Sequence, residues 1–133
     1  MSFDPGDYFT LGCSIADSDV TEAAYRTAVN RAYYACHLIG RESTLKKGWF
    51  VPTYRAPDHM KLCRVLKDKA GWGLGIKLQS LYKWREHADY HTGSHPDDND
   101  CCQKDMNIIW NNSKAIAKFL IPKLRNIAPT QLR

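Results

Sequence analysis

The stretch that decides the fold is Leu81-Tyr82-Lys83-Trp84-Arg85-Glu86-His87-Ala88-Asp89-Tyr90-His91. It predicts the last turns of a helix, because Thr92-Gly93-Ser94-His95-Pro96 after it is a typical helix stop. One face of that helix recurs in alternating steps of four and three residues: Leu74, Leu78, Leu81, Arg85 and Ala88. Arg85 thus lies in a stripe that is otherwise apolar. A guanidinium keeps its charge and is costly to bury, so it needs an anion, which Asp89 can supply from one turn further on.

Longer helical patterns flank this stretch on both sides. Asp19 is a good N-cap with Glu22 in capping-box position, and the clearest helix of the chain runs from there to about Arg41. Its apolar face is predicted to be Tyr25, Val29, Ala32, Cys36 and Ile39. Asp97 or Asp98 can start a final helix, which Pro122 should kink or end. The core stripe of that helix is predicted to be Met106, Ile109, Ile116, Leu120, Leu124 and Ile127.

Two shorter helices complete the predicted fold. Asp4 and Pro5 open one, which should break at residues 14–18. Asp58 caps the other, which runs to about Lys69 with Met60, Leu62, Val65 and Leu66 as core candidates. No segment shows the alternation of a half-buried strand. We therefore expect a single all-α domain over residues 1–133, built as a four- to five-helix up-and-down bundle.

A second stripe runs along the helix that follows Asp19, beside its apolar face. Its members are Arg26, Asn30, Tyr33, His37 and Arg41. A plain solvent-facing stripe would carry more lysine and glutamate. Two interpretations stay open: a hydrogen-bonded seam of a partly buried helix, or a functional surface.

The loop predicted from Glu42 to Pro57 interleaves bases with aromatic residues: Lys46, Lys47, Trp49, Phe50, Tyr54 and Arg55. Such a mixture can hold single-stranded nucleic acid by charge and stacking. The alternative is that Trp49 and Phe50 pin a long loop to the core.

Composition sets the remaining bounds. The formal charge of +5 mildly favours an anionic partner. No stretch approaches the length of a membrane span, and the N-terminus lacks the pattern of a secretory signal. The five cysteines form no CxxC pair. We therefore expect a cytoplasmic protein with reduced thiols and no membrane partner.

A metal site is an alternative that the sequence raises. His87 and His91 lie one turn apart, and His95, Cys101 and Cys102 follow, while His59 and Cys63 have the same one-turn spacing. However, the chain has neither paired CxxC knuckles nor an HExxH motif, and Gly93 and Pro96 should misalign His95. We expect no metal and no cofactor.

Arg85 and His91 together suggest a different chemistry. An arginine can clamp a phosphate and stabilise the charge that it gains in a transition state. A histidine can take a proton from an attacking hydroxyl or return one to a leaving oxygen. These two roles suffice to cleave RNA through its own 2′-hydroxyl. On an ideal helix the two side chains point roughly 120° apart, so they converge only if the helix ends near Tyr90 or if two chains meet.

Two segments carry a family resemblance. Arg85-x-x-x-x-x-His91 resembles the R-x(4–6)-H motif of the HEPN family, the higher eukaryotes and prokaryotes nucleotide-binding domains. The segment from Tyr25 to His37, which contains Arg31-Ala32-Tyr33-Tyr34-Ala35, resembles the "R-A-Y-Y-A" helix of small prokaryotic members. Arg85-Glu86-His87-Ala88-Asp89-Tyr90 resembles their "R-x-x-A-D-Y". The resemblance covers roughly residues 19–91.

The resemblance implies a helical homodimer whose two motifs line one cleft at the two-fold axis. It implies a metal-independent endoribonuclease that leaves 2′,3′-cyclic phosphate ends, in a toxin–antitoxin, CRISPR-linked or phage-defence system, with an antitoxin or effector protein as a further partner. Arg85 and His91 would be catalytic, Asp89 would orient Arg85, and Tyr90 and His87 would shape the cleft. Candidate RNA contacts are Arg26, Asn30, His37, Lys46, Lys47 and Arg55. The alternative is a non-catalytic HEPN module that binds nucleic acid, a nucleotide or a partner enzyme, in which Arg85 and Asp89 form a structural ion pair.

Overall fold

The computed structural model describes residues 3–90 and 106–129, and this part of the chain is helical throughout, with short links and no strand. The five helices are α1 Gly6–Ser18, α2 Glu22–Lys46, α3 Asp58–Lys69, α4 Trp72–Tyr90 and α5 Met106–Arg125. The predicted all-α helical bundle is therefore confirmed. Over the described ranges, no helix combines the length and the apolar character that crossing a bilayer demands.

Helix α2 lies at the centre of the bundle and packs against α1, α4 and α5. Its predicted apolar face is confirmed, since Val29, Ala32 and Cys36 are fully buried and Ile39 nearly so. Tyr25 packs against this core from a partly buried position. Burial of this face stabilises the packing of α2 against the other helices, because removal of apolar area from water is the main stabilising term in folding.

Helix α4 packs against α2, α3 and α5 through the stripe predicted from the sequence. Leu78 and Leu81 are fully buried and Ala88 is nearly so, and Arg85 shares their face. Leu62 and Leu66 of α3 are also fully buried. The predicted stripes of α4 and α3 thus form one core with α2.

Gly75 allows α4 to pass close to α3. A Cβ added at this position would lie 2.6 Å from the carbonyl oxygen of Cys63 and 2.8 Å from the backbone nitrogen of Lys67. Both distances are far below van der Waals contact, and both atoms belong to the backbone of α3. The absence of a side chain at Gly75 therefore sets the spacing of the two helices that frame the pocket described below.

Several predicted helix boundaries are wrong. Helix α1 continues through residues 14–18, where a break was expected, because Ala16 is buried in the core. Helix α2 is capped by Thr21, whose hydroxyl accepts from the Ala24 amide at 3.2 Å. Asp19, the predicted cap, instead accepts from the Thr21 amide at 3.2 Å.

The C-terminal boundary of α2 also differs from prediction. Helix α2 runs to Lys46 rather than to about Arg41, because Ser43 and Thr44 are buried and keep the chain helical, and the next loop is correspondingly shorter. Helix α5 continues past Pro122 to Arg125. Leu120 and Leu124 are fully buried on either side of that proline, so core packing holds the turn. The predicted start of this helix at Asp97 or Asp98 lies outside the described residues.

Candidate functional site

Arg85 lies on the buried face of α4 and is oriented from two helices. Only 8% of its side chain is exposed, and its Nη1 donates to Oδ2 of Asp89 at 3.4 Å. Asn30 on α2 donates to the same carboxylate oxygen at 3.1 Å. Asp89 therefore accepts from both helices, which holds the guanidinium in one direction and joins α4 to α2.

Four tyrosine rings surround the guanidinium of Arg85. Its Cζ lies 5.1 Å from the ring centroid of Tyr82, 5.5 Å from that of Tyr33, 5.7 Å from that of Tyr34 and 5.9 Å from that of Tyr90. Aromatic faces attract a cation at such distances. Burial lowers the pKa of Arg85, but Tyr34 and Asp89 outweigh it, so the net pKa is raised and the group stays charged. Within the described residues, Asp89 is the one hydrogen-bond partner of this guanidinium.

A pocket of about 490 Å³ opens beside Arg85. It is lined by α2, α3, α4 and the loop that joins α2 to α3. Arg41 and Arg55 join Arg85 in the wall, and Asp58 and Glu86 are its acidic members. The other lining residues are Tyr34, His37, Leu38, Tyr54, Ala56, His59, Tyr82 and Tyr90. Three arginines beside four tyrosines can bind phosphate by charge and bases by stacking.

Two histidines of this pocket share one tyrosine hydroxyl. Tyr33 is fully buried, and its Oη lies 3.4 Å from Nδ1 of His37 and makes a short hydrogen bond with Nδ1 of His59. Burial, together with His59 and Arg41, lowers the pKa of His37 to about 3. Burial and the charge of Arg85 also lower the pKa of His59. Both imidazoles are therefore neutral near pH 7.

Asp58 fixes the loop that forms one wall of the pocket. Its carboxylate accepts from the amide and the hydroxyl of Thr53, at 2.9 and 2.7 Å, and from the amide of Tyr54 at 2.8 Å. Asp58 was predicted to cap its own helix, but it bonds backwards to this loop instead. Tyr54 has a φ of 62°, which is uncommon for a bulky residue, and its exposed ring lies 4.9 Å from Cζ of Arg41.

Replacing Asp58 with asparagine is expected to lower the melting temperature at neutral pH. Burial raises the pKa of Asp58, but the hydrogen bonds from Thr53 and Tyr54 lower it by more. A carboxyl whose folded pKa is depressed stabilises the fold above its ordinary pKa of about 3.9, and this contribution is lost as pH falls through the folded value. The difference in melting temperature between wild type and Asp58→Asn should therefore be largest at neutral pH and should disappear in acid. Thermal melts between pH 7 and about pH 2 measure it.

The exposed Asp68 on α3 provides the matched control for this experiment. Asp68→Asn should leave the melting temperature unchanged at every pH. A gap for Asp58→Asn that stays constant or widens in acid would show that its carboxylate does not hold the loop.

The polar stripe of α2 divides into two parts. Arg26 donates through Nη1 to the carbonyl oxygens of His87 and Ala88, at 3.2 and 2.8 Å, and through Nε to Glu22 at 2.8 Å. Arg26 and Asn30 therefore bind the last described turn of α4, whereas His37 and Arg41 line the pocket. The hydrogen-bonded seam is confirmed for Arg26 and Asn30, and the functional interpretation of the other half of the stripe stays a prediction.

Six of the predicted site residues that the structure describes do not border the Arg85 pocket. Three of them line a separate pocket between α2 and α4, namely Arg26, Asn30 and Asp89. The other three are His87, Lys46 and Lys47. His87 is buried, with its ring against that of Trp84 at 6.2 Å between centroids. Lys46 pairs with Glu42 at 3.6 Å and borders a separate cavity near Arg125. Lys47 extends over the ring of Trp49 at 6.0 Å. Arg55 does line the pocket.

The loop is pinned to the core, as one of the two interpretations of its sequence predicted, and binding of nucleic acid by the loop stays a prediction. Phe50 is 3% exposed and pins the loop to the core, while Tyr54 and Arg55 remain exposed at the pocket. Tyr90, the last described residue of α4, is 68% exposed and also lines the pocket. His91, the predicted partner of Arg85, lies outside the described residues.

The residues of the metal alternative are only partly described. His95, Cys101 and Cys102 lie outside the described residues, as does His91. Cys63 is fully buried and His59 is bound to Tyr33. Within residues 3–90 and 106–129, no three His, Cys, Asp or Glu side chains are grouped so that they could hold a metal ion.

The sequence did not identify Tyr34, Asp58, His59 and Tyr82 as neighbours of Arg85. Tyr82 precedes Arg85 by three residues, and this helical spacing was a usable signal. His59 and Asp58 carry no comparable signal, because they reach the pocket only through the crossing of α3 over α4. Their place depends on Gly75 and on tertiary packing.

The fold and the pocket define an all-α protein with an arginine- and tyrosine-lined site. Comparison of the chain with protein-family models, with curated proteins and with solved structures found no match.

Proposed function

We propose that this protein is a metal-independent endoribonuclease of HEPN type that binds RNA in the pocket beside Arg85. The observation that carries the proposal is the buried, Asp89-oriented guanidinium at the edge of a pocket that also holds Arg41 and Arg55. A polyanion with exposed aromatic bases matches this combination of charges and tyrosine rings. The motif resemblance at residues 85–91 supports cleavage in addition to binding.

Each residue has a defined role in the proposed reaction. Arg85 binds the scissile phosphate and stabilises the charge that it gains in the transition state, which is the task of a preoriented cation in a partly dry site. The 2′-oxygen attacks the neighbouring phosphorus, and the 5′-oxygen leaves with a proton. His91 supplies proton transfer, and Asp89 keeps Arg85 in position. The products are a 2′,3′-cyclic phosphate and a 5′-hydroxyl.

We further propose that two chains form the complete site. Arg85 and His91 lie six residues apart, and an ideal helix would point them roughly 120° away from each other. A homodimer with the motif at its two-fold axis would bring each His91 to the phosphate held by the other chain. A cytoplasmic defence or toxin–antitoxin role, with an antitoxin or effector as partner, follows from the same motif resemblance.

A non-catalytic RNA- or nucleotide-binding module is the second candidate. It is favoured by the contacts that Arg85 already makes, since Asp89 and four tyrosine rings surround the guanidinium. Such an ion pair can hold two helices in register without chemistry. Under this alternative the pocket binds RNA and leaves it intact.

Incubation of RNA with the protein in EDTA tests the proposal. Wild type should cleave a single-stranded RNA, whereas His91→Ala should bind the RNA and leave it uncut. DNA of the same sequence should stay intact with both proteins, because it lacks the 2′-hydroxyl. Binding without cleavage by wild type favours the second candidate, and activity that depends on a stoichiometric metal contradicts the proposed mechanism.

Replacing Arg41 or Arg55 with alanine is expected to weaken RNA binding by about tenfold, because each variant lacks one charge-assisted contact to phosphate. Each substitution should also reduce the slope of log affinity against log salt by about 1. Fluorescence anisotropy with labelled RNA at several salt concentrations measures both quantities, in a His91→Ala background that prevents cleavage.

Lys46→Ala provides the comparison for these variants, since it removes the same charge outside the pocket. Its effect should be clearly smaller. Equal losses from Lys46→Ala and Arg41→Ala would show that the net charge of the protein, and not the pocket, binds RNA.

A further inference from the structure

His59 is a second histidine of the pocket that the proposed function does not use. It is half-buried on the first turn of α3, and its Nδ1 is held by the hydroxyl of Tyr33. Its Nε2 has no hydrogen-bond partner among the described residues, and the residue lines the pocket. One nitrogen is thus fixed by the fold, while no described residue bonds the other.

His59 and Arg85 face the same two tyrosines. The ring of His59 lies 5.5 Å from that of Tyr33 and 5.3 Å from that of Tyr82, centroid to centroid. The guanidinium of Arg85 lies at 5.5 and 5.1 Å from these same rings. His59 and Arg85 thus pack against the same rings in the wall of one pocket, within a single chain, and the charge of Arg85 acts on the imidazole.

The surroundings of His59 keep it neutral without a ligand. Burial lowers its pKa, and the positive charges of Arg85 and Arg41 act in the same direction, while Asp58 and Glu86 oppose them. Four rings pack against it: Tyr33, Tyr34, His37 and Tyr82. Burial raises the pKa of Tyr33 and Tyr82 and lowers that of His37, so these three are uncharged at neutral pH. A neutral imidazole beside a bound phosphate can accept a proton, and the negative charge of the phosphate would favour the protonated product.

The hydroxyl of Tyr33 can orient the tautomer of His59. That hydroxyl has one proton to share between Nδ1 of His37 and Nδ1 of His59. If it donates to His37, it accepts from Nδ1–H of His59, and Nε2 of His59 then carries the free lone pair. Proton uptake at Nε2 leaves this arrangement unchanged, because an imidazolium also donates from Nδ1. The hydrogen bonds among His37, Tyr33 and His59 thus allow His59 to act as a base.

We propose that His59 is the general base of the RNA cleavage assigned above. Its Nε2 takes the proton of the 2′-hydroxyl as the 2′-oxygen bonds to phosphorus, and the bond from phosphorus to the 5′-oxygen breaks. His91 gives its proton to that oxygen as the general acid, and solvent then restores both histidines. The inference rests on the proposed function and deepens it by assigning the two proton transfers to two different histidines.

An RNA with sulfur in place of the bridging 5′-oxygen at the cleaved position separates the two roles. A thiolate leaves without protonation, so this substrate removes the need for the acid and keeps the need for the base. His91→Gln should be slow on ordinary RNA and regain most of its rate on the sulfur substrate. His59→Gln should be about 100-fold slower or more on both substrates. The rate of wild type should rise with pH on the acidic side, and the rate of His59→Gln should not.

The outcomes distinguish the inference from the function on which it rests. If wild type cleaves and His59→Gln cleaves equally well, the inference is wrong and the proposed function stands. If the sulfur substrate rescues His59→Gln, His59 is the acid, and the assignment of the base is overturned. If wild type cleaves neither substrate, the proposed function fails and the role of His59 fails with it.

A measurement on wild type avoids the risk that His59→Gln is misfolded. NMR of the histidine side-chain nitrogens, with adenosine 2′-monophosphate as probe, should show a shift at Nε2 of His59 and a raised pKa for this residue. Signals of Arg85 that move while those of His59 stay constant would place His59 away from the phosphate and overturn the proposal.

Discussion

Replacing Arg85 with alanine is expected to lower the rate of RNA cleavage by about a thousandfold, which is typical for the loss of a preoriented cation or donor at a phosphate. The guanidinium is oriented by Asp89 and lies among four tyrosine rings. Asp89 keeps its hydrogen bond from Asn30 in the variant, and 24% of its side chain is exposed. The protein should therefore still fold, with a stability loss of about 1–3 kcal/mol.

Arg85→Lys separates catalysis from structural support. A lysine keeps the positive charge near Asp89 but cannot offer the planar fork of an arginine. We expect stability close to wild type and a cleavage rate at least about tenfold lower. Cleavage by gel assay and thermal melts on the same samples measure the two effects.

The exposed Arg64 on α3 is the matched control, since Arg64→Ala removes the same side chain from outside the pocket. It should change neither rate nor stability. If Arg85→Lys cleaves at the wild-type rate, or if the activity of the Arg85 variants falls only as far as they unfold, Arg85 and Asp89 are a structural ion pair.

Replacing Gly75 with alanine adds a single methyl group. Of all such additions, we expect this one to lower the free energy of unfolding the most. Its Cβ would meet backbone atoms of α3 at 2.6 and 2.8 Å, and backbone cannot rotate away as a flexible side chain can. The two helices must separate, so we expect a loss of about 1–3 kcal/mol, the usual range for overpacking. RNA binding should weaken as well, because α3 carries two of the pocket residues, Asp58 and His59.

Gly73→Ala on the same helix gives the comparison. A Cβ at Gly73 would meet no atom within 4 Å, so this substitution should be neutral or should stabilise the protein by up to about 1 kcal/mol. Urea denaturation measures both effects. If the free energy of unfolding falls with urea at the same slope for the two variants, their midpoints can be compared directly. Similar midpoints for Gly73→Ala and Gly75→Ala would show that α3 and α4 are not as close as the structure places them.

The sequence was most informative where burial is periodic and interactions are local. The apolar face of α2 and the stripe of α4 follow directly from helical spacing, because one side of each helix packs against the others. The pair of Arg85 and Asp89 is four residues apart on one helix, so its geometry is set by the helix itself.

The pocket depends on contacts between residues that are distant in sequence, and spacing does not encode these. His59 reaches Tyr33 across 26 residues because α3 crosses α4 at Gly75. Helix ends were misplaced for a related reason: Thr44 and Ala16 keep their turns helical through burial in the core. Asp58 was assigned to the wrong partner because its carboxylate can cap a helix or hold the preceding loop, and only the folded loop decides between them.

The chemical ends of the RNA fragments test the central claim most directly. A single-stranded RNA is cleaved by wild type in EDTA, and mass spectrometry identifies the new ends, with a copy that carries one 2′-deoxynucleotide at the cleaved position as control. The proposed mechanism predicts a 2′,3′-cyclic phosphate on one fragment, a 5′-hydroxyl on the other, and no cleavage at the deoxy position. A 5′-phosphate with a 3′-hydroxyl, or cleavage at the deoxy position, would contradict attack by the 2′-oxygen and with it the roles assigned to the pocket.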